Sequence, residues 1–293
     1  MPLDPKTLLM AVPNISEAVD SITLEAIGAA FETGQTRLLA DPHSDPDHGR
    51  SVFTLAGQPG ELAGSLLAGA RAALERVTLT GHSGAHPHVG VVDVVPVVFL
   101  DDERRGPAMA EALVAAEMIG TQLGVPVFLY GPLAEGRTRA ELRRGGGAAL
   151  SGRIAAGELS PDFGPATADG AKGFTLVAAR PPLVAFNLEL AAPATLADAK
   201  LIAAQLREGG EDGLPGLKAI GLELPGRGGV AQVSMNIEDH RALSLAEVVA
   251  AVSSRAVVAE AELVGLAPRA AFDGFPDGLL CRNRATLEDA LGF

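Results

Sequence analysis

The sequence predicts an α+β chain built from two tandem α/β sandwiches. Short apolar runs bounded by turn residues alternate with longer helical patterns. Their order is β-α-β-β-α-β, and it occurs once in each half of the chain. A split β-α-β unit of this order is the ferredoxin-like pattern. No residue-level repeat links the halves, so the duplication rests on element order alone.

The first half opens with a strand over Leu8–Val12, stopped by Pro13. Asn14, followed three residues later by Glu17, predicts a capping box for the next helix. Ile22, Ala26, Ile27, Ala30 and Phe31 fall on one face of that helix. Strands follow at 37–40 and 52–56, separated by the turn-rich DPHSDPDHGR at 41–50. A helix spans 61–77, a histidine-bearing loop 80–90, and an almost wholly apolar run, 91–100, predicts a buried central strand. A further helix at 107–123 and a strand at 125–130 complete this half, before a break at Gly145–Gly147 and a loop over 161–173. The second half reads as strand 183–190, helix 196–207, strands 217–224 and 230–237 joined by PGRGG, helix 245–260 and strand 261–266. Domains are placed at 1–178 and 179–275, with 276–293 as a C-terminal extension. Two sandwiches in tandem predict a ligand cleft where they meet.

Composition narrows the function. No run of eighteen or more uncharged apolar residues occurs, so no membrane-spanning helix is expected. The first residues lack the basic start and long apolar centre of a secretory signal. Cys281 is the only cysteine and cannot form an internal disulfide, which favours a reducing compartment. A cytoplasmic protein is the expectation. With 23 basic and 36 acidic residues the chain carries a net charge of −13, a poor match for phosphate backbones. No Trp and one Tyr leave few platforms for stacking bases, so nucleic acid is not an expected partner. A small anionic ligand remains compatible, because a local field can oppose the net charge.

Five of the six histidines fall in two loops: His43 and His48 in DPHSDPDHGR, and His82, His86 and His88 in GHSGAHPHVG. Histidine titrates near neutrality and suits proton transfer. Pro87 stiffens the chain between two histidines, and the buried strand that follows can hold the loop rigidly. His86 is the candidate base. His43, Asp45, Asp47, His82, His86 and His88 could together ligate zinc or manganese. However, Gly84 and Pro87 disfavour the helix that His82-x₃-His86 would need, and no H-E-x-x-H is present, so no metal is expected. The loop Asp162-Phe163-Gly164-Pro165 offers a stiff turn with an exposed ring and carboxylate, suited to a flat heterocycle or to a linker. In 230–237, strand alternation sets Gln232, Ser234 and Asn236 on one face, able to face solvent or to read a ligand. Asn187 is an amide inside an apolar strand and needs a partner. The glycine clusters at 145 and 226 match no nucleotide fingerprint.

These segments together resemble the formiminotransferase family. The matching stretches are VPNISE (12–17), HSDPDHGRSVFTLAG (43–57), HSGAHPHVGVVDVVP (82–96), GVPVFLYG (124–131), PDFGP (161–165), AFNLEL (185–190), LKAIGLEL (217–224), AQVSMN (231–236) and LVGLAP (263–268). The resemblance runs in order over nearly the whole chain. It implies two ferredoxin-like subdomains, a homodimer, and transfer of the formimino group of N-formimino-L-glutamate to N5 of tetrahydrofolate, the co-substrate. It places the catalytic histidine at His86 and folate contacts near Asp162–Pro165 and Lys218–Gly221. Some members carry a fused cyclodeaminase domain, for which 293 residues leave no room. The chain departs from the family pattern at Ile15, Ala18, Ser83, Ala85, His88 and Val89. At 83, 85 and 88 the family commonly has Lys, Glu and Arg, so charge is lost beside the histidine and the donor is left open. In the expected mechanism His86 moves the proton, with His82 beside it. Asp41, Asp45 or Asp93 stabilises the cationic amidine or orients the imidazole, and Arg50 and Arg180 bind substrate carboxylates. Gln232, Ser234, Asn236 and Asn187 complete the substrate contacts. Alternatives are a different formyl or formimino donor in the same cleft, a catalytically silent folate-binding protein, or a metallohydrolase on the histidine loops.

Overall fold

The computed structural model describes residues 6–292. Positions 1–5 and 293, the outer ends of the first domain and of the C-terminal extension, lie outside the described residues. The chain divides into two compact units, Met1–Pro181 and Pro182–Phe293. Each is a mixed α+β unit with its own sheet.

The first unit contains β1 (Leu9–Ala11), β2 (Asn14–Ile15), α1 (Ser21–Phe31), β3 (Arg37–Leu38), β4 (His43–Asp45), β5 (Arg50–Val52), β6 (Leu55–Gly57) and α2 (Leu62–Arg76). It continues through β7 (Val92–Val98), α3 (Arg105–Leu123), β8 (Val127–Leu129), α4 (Arg139–Arg143), α5 (Gly146–Ala155) and β9 (Thr175–Arg180). The sheet runs β3-β6-β1-β7-β2-β5-β4, with β9 parallel to β7 and β8 parallel to β9. All seven residues of β7 are buried, as its unbroken apolar run requires. Val12 and Pro13 interrupt the first strand, and β1 and β2 are its two pieces. Val12 N–H donates to the Pro96 carbonyl at 3.0 Å, so the break is bridged within the sheet. Leu9, Ile27, Phe31, Phe53, Leu62 and Leu66, all essentially inaccessible, pack with α1 and α2 into the core on one face.

Several local expectations are corrected. Asn14 does not cap α1; it lies in β2, and Asp20 is the N-cap, accepting from the N–H groups of Ile22 and Thr23. Glu17 Oε1 instead gathers the N–H groups of Ala18, Val19 and Asp20 ahead of the helix. Ile22 faces solvent, and Leu24, Ile27, Gly28 and Phe31 form the buried stripe. The 145–147 glycines do not only break the chain: Gly145 is left-handed (φ 77°) and α5 begins beside it. His43 and Asp45 sit in β4 rather than in a loop.

The second unit contains β10 (Val184–Leu190), α6 (Leu196–Leu206), β11 (Leu217–Leu224), β12 (Val230–Ile237), α7 (Leu245–Ser253), β13 (Val258–Val264), β14 (Cys281–Arg282) and α8 (Leu287–Leu291). Strand order is β11-β12-β10-β13-β14, antiparallel except for the β13–β14 edge. Thr195 with Asp198 and Ser244 with Glu247 form capping boxes that start α6 and α7. Helix α7 ends at Ser253, so strand β13 starts three residues before the sequence reading of 261. The 276–293 segment is not a bare extension, since Cys281–Arg282 joins the sheet edge.

Candidate active site

The two histidine loops meet at one end of the first sheet. Ala85 N–H donates to the Asp47 carbonyl at 2.9 Å and ties them together. Their backbones touch at Gly49 and Gly84. A Cβ at Gly84 would stand 2.4 Å from the His48 carbonyl oxygen and 2.9 Å from Gly49 Cα, so only glycine permits this approach. Asp45 Oδ1 accepts from the N–H groups of Asp47 (2.8 Å) and His48 (3.1 Å), which fixes the first loop.

A narrow hollow opens here, lined by Asn14, Ile15, Ser16, His48, Gly49, Arg50, His86, His88 and Asp93. Adjacent strands β7, β2 and β5 supply Asp93, Asn14 and Arg50. His86 is buried, and its Nδ1 lies 2.9 Å from the Pro87 carbonyl. A carbonyl only accepts, which favours the proton on Nδ1 and the lone pair on Nε2, although Arg50 Nη1 also lies 3.2 Å from Nδ1. Arg50 Nη1 donates to Nε2 at 2.9 Å and lies 3.5 Å from Asn14 Oδ1. His48 stacks on His86 with ring centroids 5.9 Å apart. Burial first, then Arg50, Arg143, His48 and Arg139, hold the His86 imidazole well below its ordinary value, so it is neutral at pH 7. Burial, reinforced by Arg143 and Arg139, pulls Arg50 down to about 9, which leaves it a cation at neutral pH.

Asp93 bonds the Val89 N–H at 2.8 Å and forms a buried ion pair with Arg143 of α4. The carboxylate therefore fixes the histidine loop and anchors α4 beside the hollow; no bond to the imidazole is seen. His82 lies next to the hollow, its ring edge-on to His88 with centroids 4.5 Å apart. Its Nε2 is buried with no hydrogen-bond partner among the described residues. Burial, then His88, lowers its pKa. Asp41 is exposed and does not line the hollow.

The remaining site candidates of the first unit are dispersed. Phe163 bridges to Val127 at the start of β8, level with the start of β7 and three strand spacings, about 14 Å, to its side. Asp162 is not a free carboxylate: it accepts from Leu129 N–H at 2.7 Å and pairs with Arg137. The Phe163 ring is half-buried against the core rather than exposed, and Gly164 lies on the backbone of Gly120 in α3. Pro165 follows, half-buried. Arg180 ends β9 opposite Val98, about 20 Å along the sheet from the histidine end, so the structure does not bring it to His86.

In the second unit, strand register places the polar candidates on one sheet face. Asn187 stands between Ser234 and Glu262, and Gln232 stands opposite Glu189. Asn236 stands opposite Lys218. The partner Asn187 requires is Glu262, which its Nδ2 reaches at 3.0 Å. Glu189 and Glu262 are in turn paired with Arg227 and Arg282. Lys218 is held by Glu208 at 2.5 Å. Gly221 is accounted for by packing: a Cβ there would meet the Lys200 nitrogen of α6 at 2.3 Å.

Sequence reasoning missed Arg143 and Arg139. They lie in RTRAELRRGGG, whose charge density reads as a solvated surface. The available signal was Thr138 three residues before Glu141, which is a capping box in the structure. Among the described residues, no group of three His, Cys, Asp or Glu side chains is arranged to hold a metal ion. No helix of the described residues is long and apolar enough to cross a membrane.

Comparison with known proteins matches residues 8–180 to the formiminotransferase domain, N-terminal subdomain, and residues 185–274 to the formiminotransferase domain. The glutamate formimidoyltransferase of Streptococcus pyogenes is 31% identical over 89% of this chain and 89% of its own length. That of Thermoplasma acidophilum is 31% identical over 90% of this chain and 89% of its own. The formimidoyltransferase-cyclodeaminase of Sus scrofa is 34% identical over 89% of this chain, which spans 50% of that relative's length. The chain belongs to the formiminotransferase family.

Proposed function

We propose that this chain transfers the formimino group of N-formimino-L-glutamate to N5 of tetrahydrofolate. The observation that carries the reading is His86: a buried, neutral imidazole on the wall of a hollow, with its Nδ1 on the Pro87 carbonyl. His86 Nε2 accepts the proton that N5 sheds as it bonds to the formimino carbon. It returns that proton to the glutamate nitrogen as the carbon–nitrogen bond on that side breaks. One imidazole serves both transfers, and no net proton is consumed. The amidine carbon is most electrophilic when the amidine nitrogen is protonated, and Asp93 is the carboxylate at the wall, held there by Arg143.

In the resting geometry Arg50 occupies the Nε2 lone pair. The base works once a substrate carboxylate draws that guanidinium away, which also removes the cation that lowers the imidazole's basicity. The placement of Phe163 at the same end of the sheet supports folate contacts along Asp162–Pro165. We further infer that the polar row Asn187, Gln232, Ser234 and Asn236 contacts ligand, and that the protein is a cytoplasmic homodimer. We also infer that each unit is a ferredoxin-like sandwich, on the βαββαβ order and the β11-β12-β10-β13 path of the second.

The test is a transfer assay with tetrahydrofolate and either formiminoglutamate or formylglutamate. Formation of 5-formiminotetrahydrofolate from the first donor supports the proposal. Turnover of the formyl donor alone would change the donor, and folate binding with neither activity would make this a silent folate-binding protein.

A further inference from the structure

We propose that Arg139 of α4 is a donor-specificity residue that binds the side-chain carboxylate of the amino-acid donor, while Arg50 takes its α-carboxylate. The inference rests on the formiminoglutamate reading above. Arg139 and Arg143 are four residues apart on one short helix and share a face. Arg143 reaches the wall of the hollow through its buried pair with Asp93, which directs that face toward the site. Arg139 is half-buried, yet among the described residues it has no hydrogen bond or ion pair. Arg50 is half-buried too, and among the described residues its side chain hydrogen-bonds only to neutral groups, His86 and Asn14. Two partly desolvated guanidiniums with no carboxylate bonded to them are costly unless a ligand supplies the anions. The field of Arg139 reaches Arg50, Arg143 and His86, so the cations form one cluster. Asp93 and Asp45 are the leading acids opposing this at Arg50, and the cations gather in a chain whose net charge is −13.

Connectivity assigns the two carboxylates. In formiminoglutamate the α-carboxylate carbon is two bonds from the reacting nitrogen, and Arg50 touches the base itself. The side-chain carboxylate carbon is four bonds away and requires a more distant cation. A planar guanidinium takes either carboxylate through two parallel N–H···O bonds.

The test uses the full chain with L-glutamate and L-glutamine as calorimetric probes, because they differ at the side-chain carboxylate alone. The wild type is expected to bind glutamate at least about tenfold more tightly than glutamine, the range of a charge-assisted hydrogen bond. Arg139→Gln removes that preference, and Arg139→Lys retains part of it. In transfer kinetics Arg139→Gln raises KM for formiminoglutamate about tenfold or more and lowers kcat by less than that, with KM for tetrahydrofolate unchanged. A folded Arg139→Gln protein with the wild-type glutamate preference and KM would overturn the assignment. If the wild type transfers nothing from formiminoglutamate, the functional reading fails, and the two amino-acid probes still decide whether Arg139 binds a carboxylate.

Discussion

Gly84→Ala tests whether contact between the two histidine loops sets the geometry of the site. The new Cβ would stand 2.4 Å from the His48 carbonyl oxygen, about 1 Å inside the roughly 3.4 Å at which ordinary contact begins. Both partners are backbone, so no side-chain rotation relieves the clash and the loops must separate by about that distance. His86 lies on one loop and Arg50 follows the other, with 2.9 Å between Nε2 and Nη1. A 1 Å opening moves the imidazole by that distance from Arg50, Asn14 and Gly49 on the opposite wall of the hollow, where the substrate must be held. A misplacement of this size costs about 100-fold in rate. The accompanying overpacking costs about 1–3 kcal/mol of stability. The assay is kcat/KM for formimino transfer beside a urea unfolding curve. Gly64→Ala is the control: Gly64 is exposed within α2 and has open space around its Cβ position. It is expected to keep full activity and gain about 0.5–1 kcal/mol. Full kcat/KM in a folded Gly84→Ala protein would refute the reasoning.

Two further outcomes follow from the electrostatics. Because burial and nearby cations hold His86 well below 6.5, the acid limb of kcat/KM for the free enzyme falls below pH 6.5; a limb at or above that value contradicts the assignment. The same shift links to stability. The unfolded imidazole, titrating near 6.5, binds its proton before the folded one, so stability falls as pH drops below about 6.5, and urea midpoints for His86→Gln lose part of that slope. Arg143→Leu leaves Asp93 buried without its cation and costs about 3–5 kcal/mol, read as a lowered urea midpoint at neutral pH; a loss below 1 kcal/mol would mean the pair is not desolvated.

What could be read from sequence depended on how local the determinant was. His86 was legible because a proline beside it and a buried strand after it are local signals, and the structure places it on the hollow. The polar face of β12 was legible because strand periodicity assigns alternate residues unambiguously, and Gln232, Ser234 and Asn236 share that face. The partner of Asn187 was not, since Glu262 lies 75 residues away and meets it only through the β10–β13 pairing. Strand β9 escaped although Pro181–Pro182 marks its end, because Thr175–Arg180 lies outside the β-α-β-β-α-β order read in each half. The loop at 161–165 was read as an exposed ring or a linker. Its composition does not reveal the antiparallel bridge to Val127 that draws Phe163 against the core. Arg50 was placed among carboxylate binders, but its contact with the imidazole depends on two loops whose approach is set by a glycine pair.

The central claim is that the neutral imidazole of His86 carries the proton from the folate amine to the departing amino acid. The most direct measurement is single-turnover formimino transfer by His86→Ala beside the wild type, with tetrahydrofolate affinity measured on the same samples. The account predicts a loss of about 10²- to 10⁴-fold in the transfer rate with folate affinity retained. A folded His86→Ala protein that transfers at the wild-type rate would contradict it.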